Sequence, residues 1–309
     1  MRIVVNGQQA FGAEVLKALL DHGEDVVAVY CAPDKPDRPP DPLAEAARER
    51  GIELRQPDSF ETDHAASDLA ELRPDLMVMA FVTQFVPEPV LNTPTYGAIQ
   101  YHPSILPRHR GPSAINWAII QGEPTTGITV FWPDEGLDTG PVLLTKEVEV
   151  ADDDTLGSLY FDKLFPIGVE AMVEAVDLVR DGRAPKTAQD EAEATYESWC
   201  RQADVEIDWS RPVREVYDLI RGANPRPGAW TTIDGAQVEV LDCKRVDGDP
   251  GGAPGTVVAV DGERLVVAAG DGAIAVLGVR ADGDRAPAGE YARAAGVEPG
   301  TRFGERSAA

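Results

Sequence analysis

Residues 76–103 read LMVMAFVTQFVPEPVLNTPTYGAIQYHP, and two apolar runs within them, LMVMAFV (76–82) and GAIQYHP (97–103), decide the fold. Both are short and nearly continuous in their apolar content, as expected of strands covered by helices on both faces. Towards the N-terminus, RIVVN (2–6) and DVVAVYC (25–31) repeat the pattern. Between them a helix is predicted from about Gly12 to His22, with Val15, Leu16, Leu19 and Leu20 on one face. After a proline- and aspartate-rich loop from Pro33 to Pro42, AEAARERG (44–51) and HAASDLAELRPD (64–75) give two more helices. Towards the C-terminus, SAINWAIIQG (113–122) is a helix and GITVFWPD (127–134) a strand. Strands alternating with helices in units of about 30 residues predict an α/β, doubly wound parallel sheet. The Gly7–Gly12 turn lacks a GxGxxG pattern and reads as a chain reversal, not a dinucleotide site.

The pattern changes further along. Residues 155–181 read as one long amphipathic helix behind the acidic Asp152–Asp154, where carboxylates suit the positive helix end. GRAPKTAQDEAEATYESW (182–199) loses periodicity and reads as a surface linker. Then REVYDLIRG (214–222) is a helix, followed by TTIDGAQVEVLDC (231–243) and GTVVAVDGERLVVAAGDGAIAVLGV (255–279). Asp-Gly pairs at 234–235, 261–262 and 271–272 signal hairpins, and short hairpin strands close most simply into a small β-barrel. The expected organisation is a catalytic domain over 1–185, a linker over 186–204 and a barrel domain over 205–309.

Composition narrows the function. The chain carries 28 basic and 53 acidic residues, a formal charge of −25, which disfavours binding to nucleic acid or anionic membranes. No apolar run reaches the roughly 20 residues that span a bilayer. MRIVVNGQQAFG fits a first strand better than a signal peptide. Cys31, Cys200 and Cys243 are scattered, so neither a disulfide framework nor a zinc site is expected, and a cytoplasmic setting fits.

Chemistry concentrates where histidines are scarce. Two of the four histidines, His102 and His109, fall in QYHPSILPRHRGPSAINW (100–117), and His102 lies just past a strand's carboxyl end, where open α/β sheets bind ligands. The next strand ends at DEGLDTG (134–140), which would bring Asp138 beside His102. A histidine oriented by a carboxylate is suited to proton transfer near neutral pH. Met77 and Met79 read as core, Tyr101 as core, Cys200 as incidental, and Asn116 and Trp117 as helix packing. Arg108, His109 and Arg110 form a basic patch suited to an anionic ligand tail or to holding the loop.

HPSILPRHRG (102–111), followed 36 residues after His102 by Asp138 in GLDTG, resembles the signature of the folate-dependent formyltransferase family. YHPSILPRHRGPSAINW, FWPDEGLDTG and FVTQFVP (81–87) are most similar to its 10-formyltetrahydrofolate hydrolase branch. The tail from Pro254 to Val279 and PGTRFG (299–304) resemble the family's C-terminal barrel. The likeness implies a Rossmann-like sheet domain, a smaller OB-like β-barrel and 10-formyltetrahydrofolate as co-substrate. It makes His102 and Asp138 the catalytic pair. It places Gln84, Phe85 and Val86, the loop Ser104, Ile105, Leu106 and Pro107, and also Asp134 and Gly136 against the folate. The family usually has asparagine two residues before the histidine; here Gln100 keeps the amide with one more methylene.

Formyl transfer then needs a donor aimed at the developing oxyanion, worth about 3 kcal/mol in comparable sites. His102 and Gln100 are the expected donors, and Asp138 would take the proton of the attacking amine or water. The leading expectation is transfer to an amine or hydroxylamine on a small metabolite, with 10-formyltetrahydrofolate hydrolysis as its rival. The hydrolase branch has the closer strings, whereas a chain ending after its barrel suits a free-standing transferase. Initiator tRNA ranks third: residues 205–309 hold 12 basic and 17 acidic residues, a net of −5, where a tRNA-holding barrel should be basic. A folate-binding module without activity is the alternative class. The acidic balance and the pairing of His102 with Asp138 point away from both.

Overall fold

β1 (Arg2–Gly7), β2 (Asp25–Tyr30) and β4 (Leu76–Ala80) are buried along most of their length, and every residue of β4 is buried. The structure is a computed structural model that describes residues 1–246, 248 and 251–304. α1 (Gln9–Asp21), α2 (Pro42–Glu49), β3 (Glu53–Arg55), α3 (Ala65–Glu71), α4 (Glu88–Leu91), β5 (Ala98–His102), α5 (Ala114–Ile120), β6 (Thr125–Phe131) and β7 (Val142–Glu149) complete the first half. The seven strands lie in the order β3-β2-β1-β4-β5-β6-β7, the Rossmann-like arrangement the alternation predicts.

The sheet is not wholly parallel. β6 runs antiparallel to β5, pairing Phe131 with Gln100 and Thr129 with His102. Across the sheet, Asn6, Met79, Gln100 and Phe131 stand in one register row, so their side chains share a face. That face packs Val4, Tyr30, Phe60, Met77, Met79 and Leu91 into one core, confirming Met77 and Met79 as core residues. On α1, Phe11, Val15, Leu16 and Leu19 are buried, consistent with the predicted stripe.

The helix expected over 155–181 is interrupted. A one-turn α6 (Leu156–Ser158) gives way to a π-helical segment, Leu159–Leu164, before α7 (Phe165–Arg180). Pro166 lies in the first turn of α7 and has no N–H to extend a regular ladder back through Asp162, which explains the break.

Two compact units are present: Met1–Gly111 with Gly127–Val148 and Phe161–Tyr196, and Pro112–Thr126 with Glu149–Tyr160 and Glu197–Ala309. The second holds α8 (Val213–Gly222), β8 (Trp230–Ile233), β9 (Ala236–Val246), β10 (Val257–Val260), β11 (Leu265–Ala268), β12 (Ala273–Ala281), β13 (Asp284–Pro287) and α9 (Ala288–Ala295). These strands form a curled antiparallel sheet, β10-β11-β12-β9-β8, with β13 also on β12. Asp234-Gly235 joins β8 to β9 with both residues at positive φ, 48° and 81°, the tight hairpin that Asp-Gly predicts. The pairs at 261–262 and 271–272 sit in longer loops, while Asp282-Gly283, with φ of 51° and 90°, makes a second tight turn. Residues 301–304 strap the sheet's edges together: the Phe303 N–H donates to the Gly255 carbonyl (2.7 Å) and the Gly304 N–H to the Thr232 carbonyl (2.8 Å).

Candidate active site

His102 ends β5 and is 5% exposed. Its Nε2 lies 2.8 Å from the backbone carbonyl of His109, which can only accept, so Nε2 carries the proton. That leaves Nδ1 as the working nitrogen, 3.6 Å from Asp138 Oδ2. The separation exceeds a direct hydrogen bond, and catalytic contacts commonly tighten only when substrate arrives. Asp138 Oδ2 also accepts the Gly111 N–H at 2.8 Å, which fixes the carboxylate's orientation.

Local chemistry explains how residues 36 apart meet. After Pro103 the loop is pinned by Thr129, whose hydroxyl donates to the Ser104 carbonyl (2.7 Å) and accepts the Leu106 N–H (3.1 Å). On its far side the His109 N–H donates to Thr195 Oγ1 (2.8 Å). The Asp138 loop is tied at its start by Asp134 Oδ1, which accepts the Gly136 N–H (3.0 Å) and the Thr139 hydroxyl (2.5 Å). At its end only glycine fits position 140, since a Cβ there would fall 1.7 Å from the Trp132 carbonyl oxygen.

A cavity of about 230 Å³ sits against Asp138, while His102 is not among its lining residues. Gln84, Phe85, Val86, Gln100, Asp134, Gly136 and Asp138 from the expected set line it. Met79, read from the sequence as core, also lines it, as do Val82, Thr83, Leu91, Phe131, Pro133 and Leu137, which were not singled out. The register row would have exposed Met79 and Phe131, because both flank Gln100 on one face. Ser104, Ile105, Leu106 and Pro107 do not contribute to this cavity. Ser104 is fully buried, with its hydroxyl donating to the Arg108 carbonyl (2.7 Å), and Leu106 is 6% exposed. Gln84 turns its amide to the carbonyls of Pro57 and Asp58, both at 3.3 Å.

Two residues take positions the sequence did not predict. The Arg110 guanidinium is fully buried and contacts the Gln189 amide oxygen (2.8 and 3.1 Å), the Glu191 carboxylate (2.7 and 3.0 Å) and the Tyr196 hydroxyl (3.0 Å). Of the two roles open to the basic patch, Arg110 therefore holds the loop. Gln189 uses its other end on the active loop, donating to the carbonyls of Asp138 (2.9 Å) and Gly140 (2.7 Å). The aperiodic stretch read as linker thus fastens both catalytic loops, a role carried by tertiary hydrogen bonds that leave no periodic signal.

Among the described residues one group, His22, Glu24 and Asp177, is close enough to share a metal ion. Its buried Glu24 already pairs with the Met1 amine (2.6 Å) and with Arg180, which accounts for the cluster as ion pairing.

The formyl transferase sequence pattern matches residues 1–176, and that of the formyl transferase C-terminal domain matches 200–296. The chain belongs to the formyl transferase family. Its relatives include mouse mitochondrial 10-formyltetrahydrofolate dehydrogenase, 44% identical over 243 residues, covering 77% of this chain and 26% of the relative. Methionyl-tRNA formyltransferase of Geotalea daltonii is 36% identical over 315 residues and the whole of both chains. The chain spans about a quarter to a third of the length of the dehydrogenases it matches. Among solved structures, HypX from Aquifex aeolicus shares the fold with a TM-score of 0.67 at 21% identity, over 96% of this chain and 47% of that one. A Helicobacter canadensis N-formyltransferase in complex with folinic acid and dTDP-3-aminofucose shares it at 0.68 and 16%, over 90% and 99%. No described helix is long and apolar enough to cross a membrane.

Proposed function

We propose that this family member transfers the formyl group of 10-formyltetrahydrofolate to an amine or hydroxylamine on a small metabolite, with His102 and Asp138 as the catalytic pair. The observation that carries the proposal is the buried His102–Asp138 contact beside a cavity walled by Gln100, Phe85, Val86 and Phe131. Relatives named for 10-formyltetrahydrofolate and a neighbouring structure holding folinic acid support the donor. At about 230 Å³ the cavity is below the roughly 300–1,000 Å³ of whole-ligand sites, a size for a flat ring head with the remainder outside. Its apolar walls suit such a ring, and the Asp138 and Gln100 side chains offer polar contacts at its rim.

The donor supplies a formyl group on nitrogen. Asp138 has one oxygen committed to Gly111, so its other oxygen receives the proton of the attacking amine. His102 Nδ1, unprotonated in the resting tautomer, takes that proton from the carboxylate it faces and delivers it to the donor nitrogen as that nitrogen's bond to the formyl carbon breaks. The Gln100 amide, on the cavity face of β5, is the donor for the formyl oxygen. Ser104, Ile105, Leu106 and Pro107 shape the turn that presents His102.

Hydrolysis, with water as acceptor, is the second reading, favoured by the 44% identity to the dehydrogenases. Transfer to initiator tRNA ranks below both because residues 205–309 carry a net charge of −5. Measuring tetrahydrofolate release without acceptor, with a panel of small amines and with initiator methionyl-tRNA separates the three. Amine-dependent release establishes the transferase, amine-independent release establishes the hydrolase, and no release from 10-formyltetrahydrofolate under any condition rejects both.

A further inference from the structure

A larger cavity of about 490 Å³ lies in the same unit, where the start of β5, the base of the Asp138 loop and the turn after α7 converge. It shares Leu91 and Pro133 with the smaller cavity beside Asp138 and none of its other walls. In a chain with 53 acidic residues, no aspartate or glutamate lines it. Its one charged wall residue is Lys186, whose ammonium sits 4.5 Å above the Trp132 ring and makes no ion pair among the described residues.

The surrounding groups favour an anion with a flat apolar body. Trp132 is 8% exposed, and its indole N–H is spent on the Pro185 carbonyl (2.8 Å), so its ring edge is fixed. The helix end nearby offers few free acceptors to repel a negative charge. The carbonyls of Asp177, Leu178 and Val179 already receive the N–H groups of Asp181, Arg183 and Gly182. Tyr96, 48% exposed, presents an aromatic surface at the rim. A cavity of this volume falls within the range that holds small organic ligands. An exposed ammonium held over an aromatic face, with no carboxylate among the cavity's lining residues to neutralise it, offers an anion a counter-charge.

We infer that this cavity is a binding site for an aromatic carboxylate, its carboxylate paired with Lys186 and its ring lodged between Trp132 and Tyr96. This site is distinct from the proposed folate cavity and does not depend on the chain's catalytic activity. Trp132 also anchors the Asp138 loop, since its N–H donates to the Pro141 carbonyl at 2.9 Å and its own carbonyl abuts Gly140. An occupant therefore rests on the base of the proposed catalytic loop.

The test is calorimetric titration of the full chain with benzoate, 4-aminobenzoate and indole-3-acetate, repeated in saturating tetrahydrofolate. Saturable binding of at least one, weakened tenfold or more in Lys186→Glu and retained alongside tetrahydrofolate, is the expected result. Lys186→Gln serves as the milder variant, and circular dichroism of both confirms folding. Absence of saturable binding by all three, binding unchanged in folded Lys186→Glu, or competitive displacement by tetrahydrofolate would each overturn the assignment. Competition would place the carboxylate in the folate cavity and leave the proposed activity untouched, whereas loss of turnover in His102→Ala bears only on the latter.

Discussion

The backbone enters the left-handed region at non-glycine residues in both units, but for different reasons. In the curled sheet the residues are Asp234 and Asp282, each followed by glycine in a tight hairpin, where short polar side chains tolerate positive φ. In the seven-stranded unit they include Gln9, Phe81, His109 and Asp138, which follow β1, β4, β5 and β6. Of these four, Gln9, Phe81 and His109 lack the short polar side chain that lets Asp138, like Asp234 and Asp282, tolerate the conformation. Named contacts hold three of the four: the Gln9 N–H on the Asp41 carboxylate (2.8 and 2.9 Å), the His109 N–H on Thr195, and the Asp138 carboxylate on Gly111. Turn chemistry explains the first group; the second follows strand ends, and of it only Asp138 lines the cavity at the candidate site. Strain held by tertiary bonds at a ligand-binding edge marks preorganisation.

The sharpest way to separate strain from chemistry is Asp138→Gly. It relieves the φ of 58° but also removes the carboxylate that accepts the Gly111 N–H, so the protein should still fold while turnover falls by roughly 10³-fold, within the span of general acid–base effects. Asp138→Asn tolerates the same φ and should lose activity similarly, and His102→Ala should match both. Tetrahydrofolate release with thermal melts measures this, and a folded Asp138→Gly with near wild-type turnover would sink the role assigned to Asp138.

Gln189→Ala tests the tertiary hold. Because the Gln189 side-chain hydrogen bonds among the described residues go to the Asp138 and Gly140 carbonyls and to Arg110, turnover should drop by about tenfold through misplacement of the carboxylate. The KM for folate should move less than kcat. A Gln189→Ala enzyme with unaltered kcat would show that the loop keeps its place without help. Gly235→Ala probes the other region: it should cost about 1 kcal/mol of stability and leave turnover alone, read by denaturant midpoint and initial rate.

The smallest effect concerns pH. Arg110 holds the Glu191 carboxyl below its ordinary value of 4.5, chiefly through their hydrogen bond. A depressed carboxylate contributes stability above that ordinary value and loses it as pH falls through the lower folded value. Melting temperature should therefore lie slightly lower in Glu191→Gln than in wild type above pH 4.5, and the two should converge as pH falls below it. Identical acid limbs would mean that the exposed carboxylate adds nothing measurable.

Much of this architecture is legible in the residues. The runs at 2–6, 25–31 and 76–82 announce strands because burial on both faces demands continuous apolar side chains. Asp234-Gly235 announces its hairpin because few other pairs accept two positive φ values. His102 and Asp138 could be read as neighbours from their places past two strand ends, but only the likeness of their flanking strings marked them as a catalytic pair, and Gln100 was visible through that likeness alone. What stayed hidden depends on contacts between distant segments. Gln189 and Thr195 lie in a stretch without periodicity, and the reversal of β6 against β5 follows from packing that a strand's own sequence does not encode. The π-helical break was foreshadowed by Pro166, whose consequence depends on where in the helix it falls.

The short strap at residues 301–304 also protects the molecule from itself. β8 and β10 would otherwise each offer a row of unsatisfied amides and carbonyls to any passing β-strand, the template from which runaway strand addition grows. By occupying both rims at once, a handful of residues converts an open sheet into one with little left to recruit a neighbour. Trimming the chain before Thr301 is expected to show its harm first as turbidity on concentration.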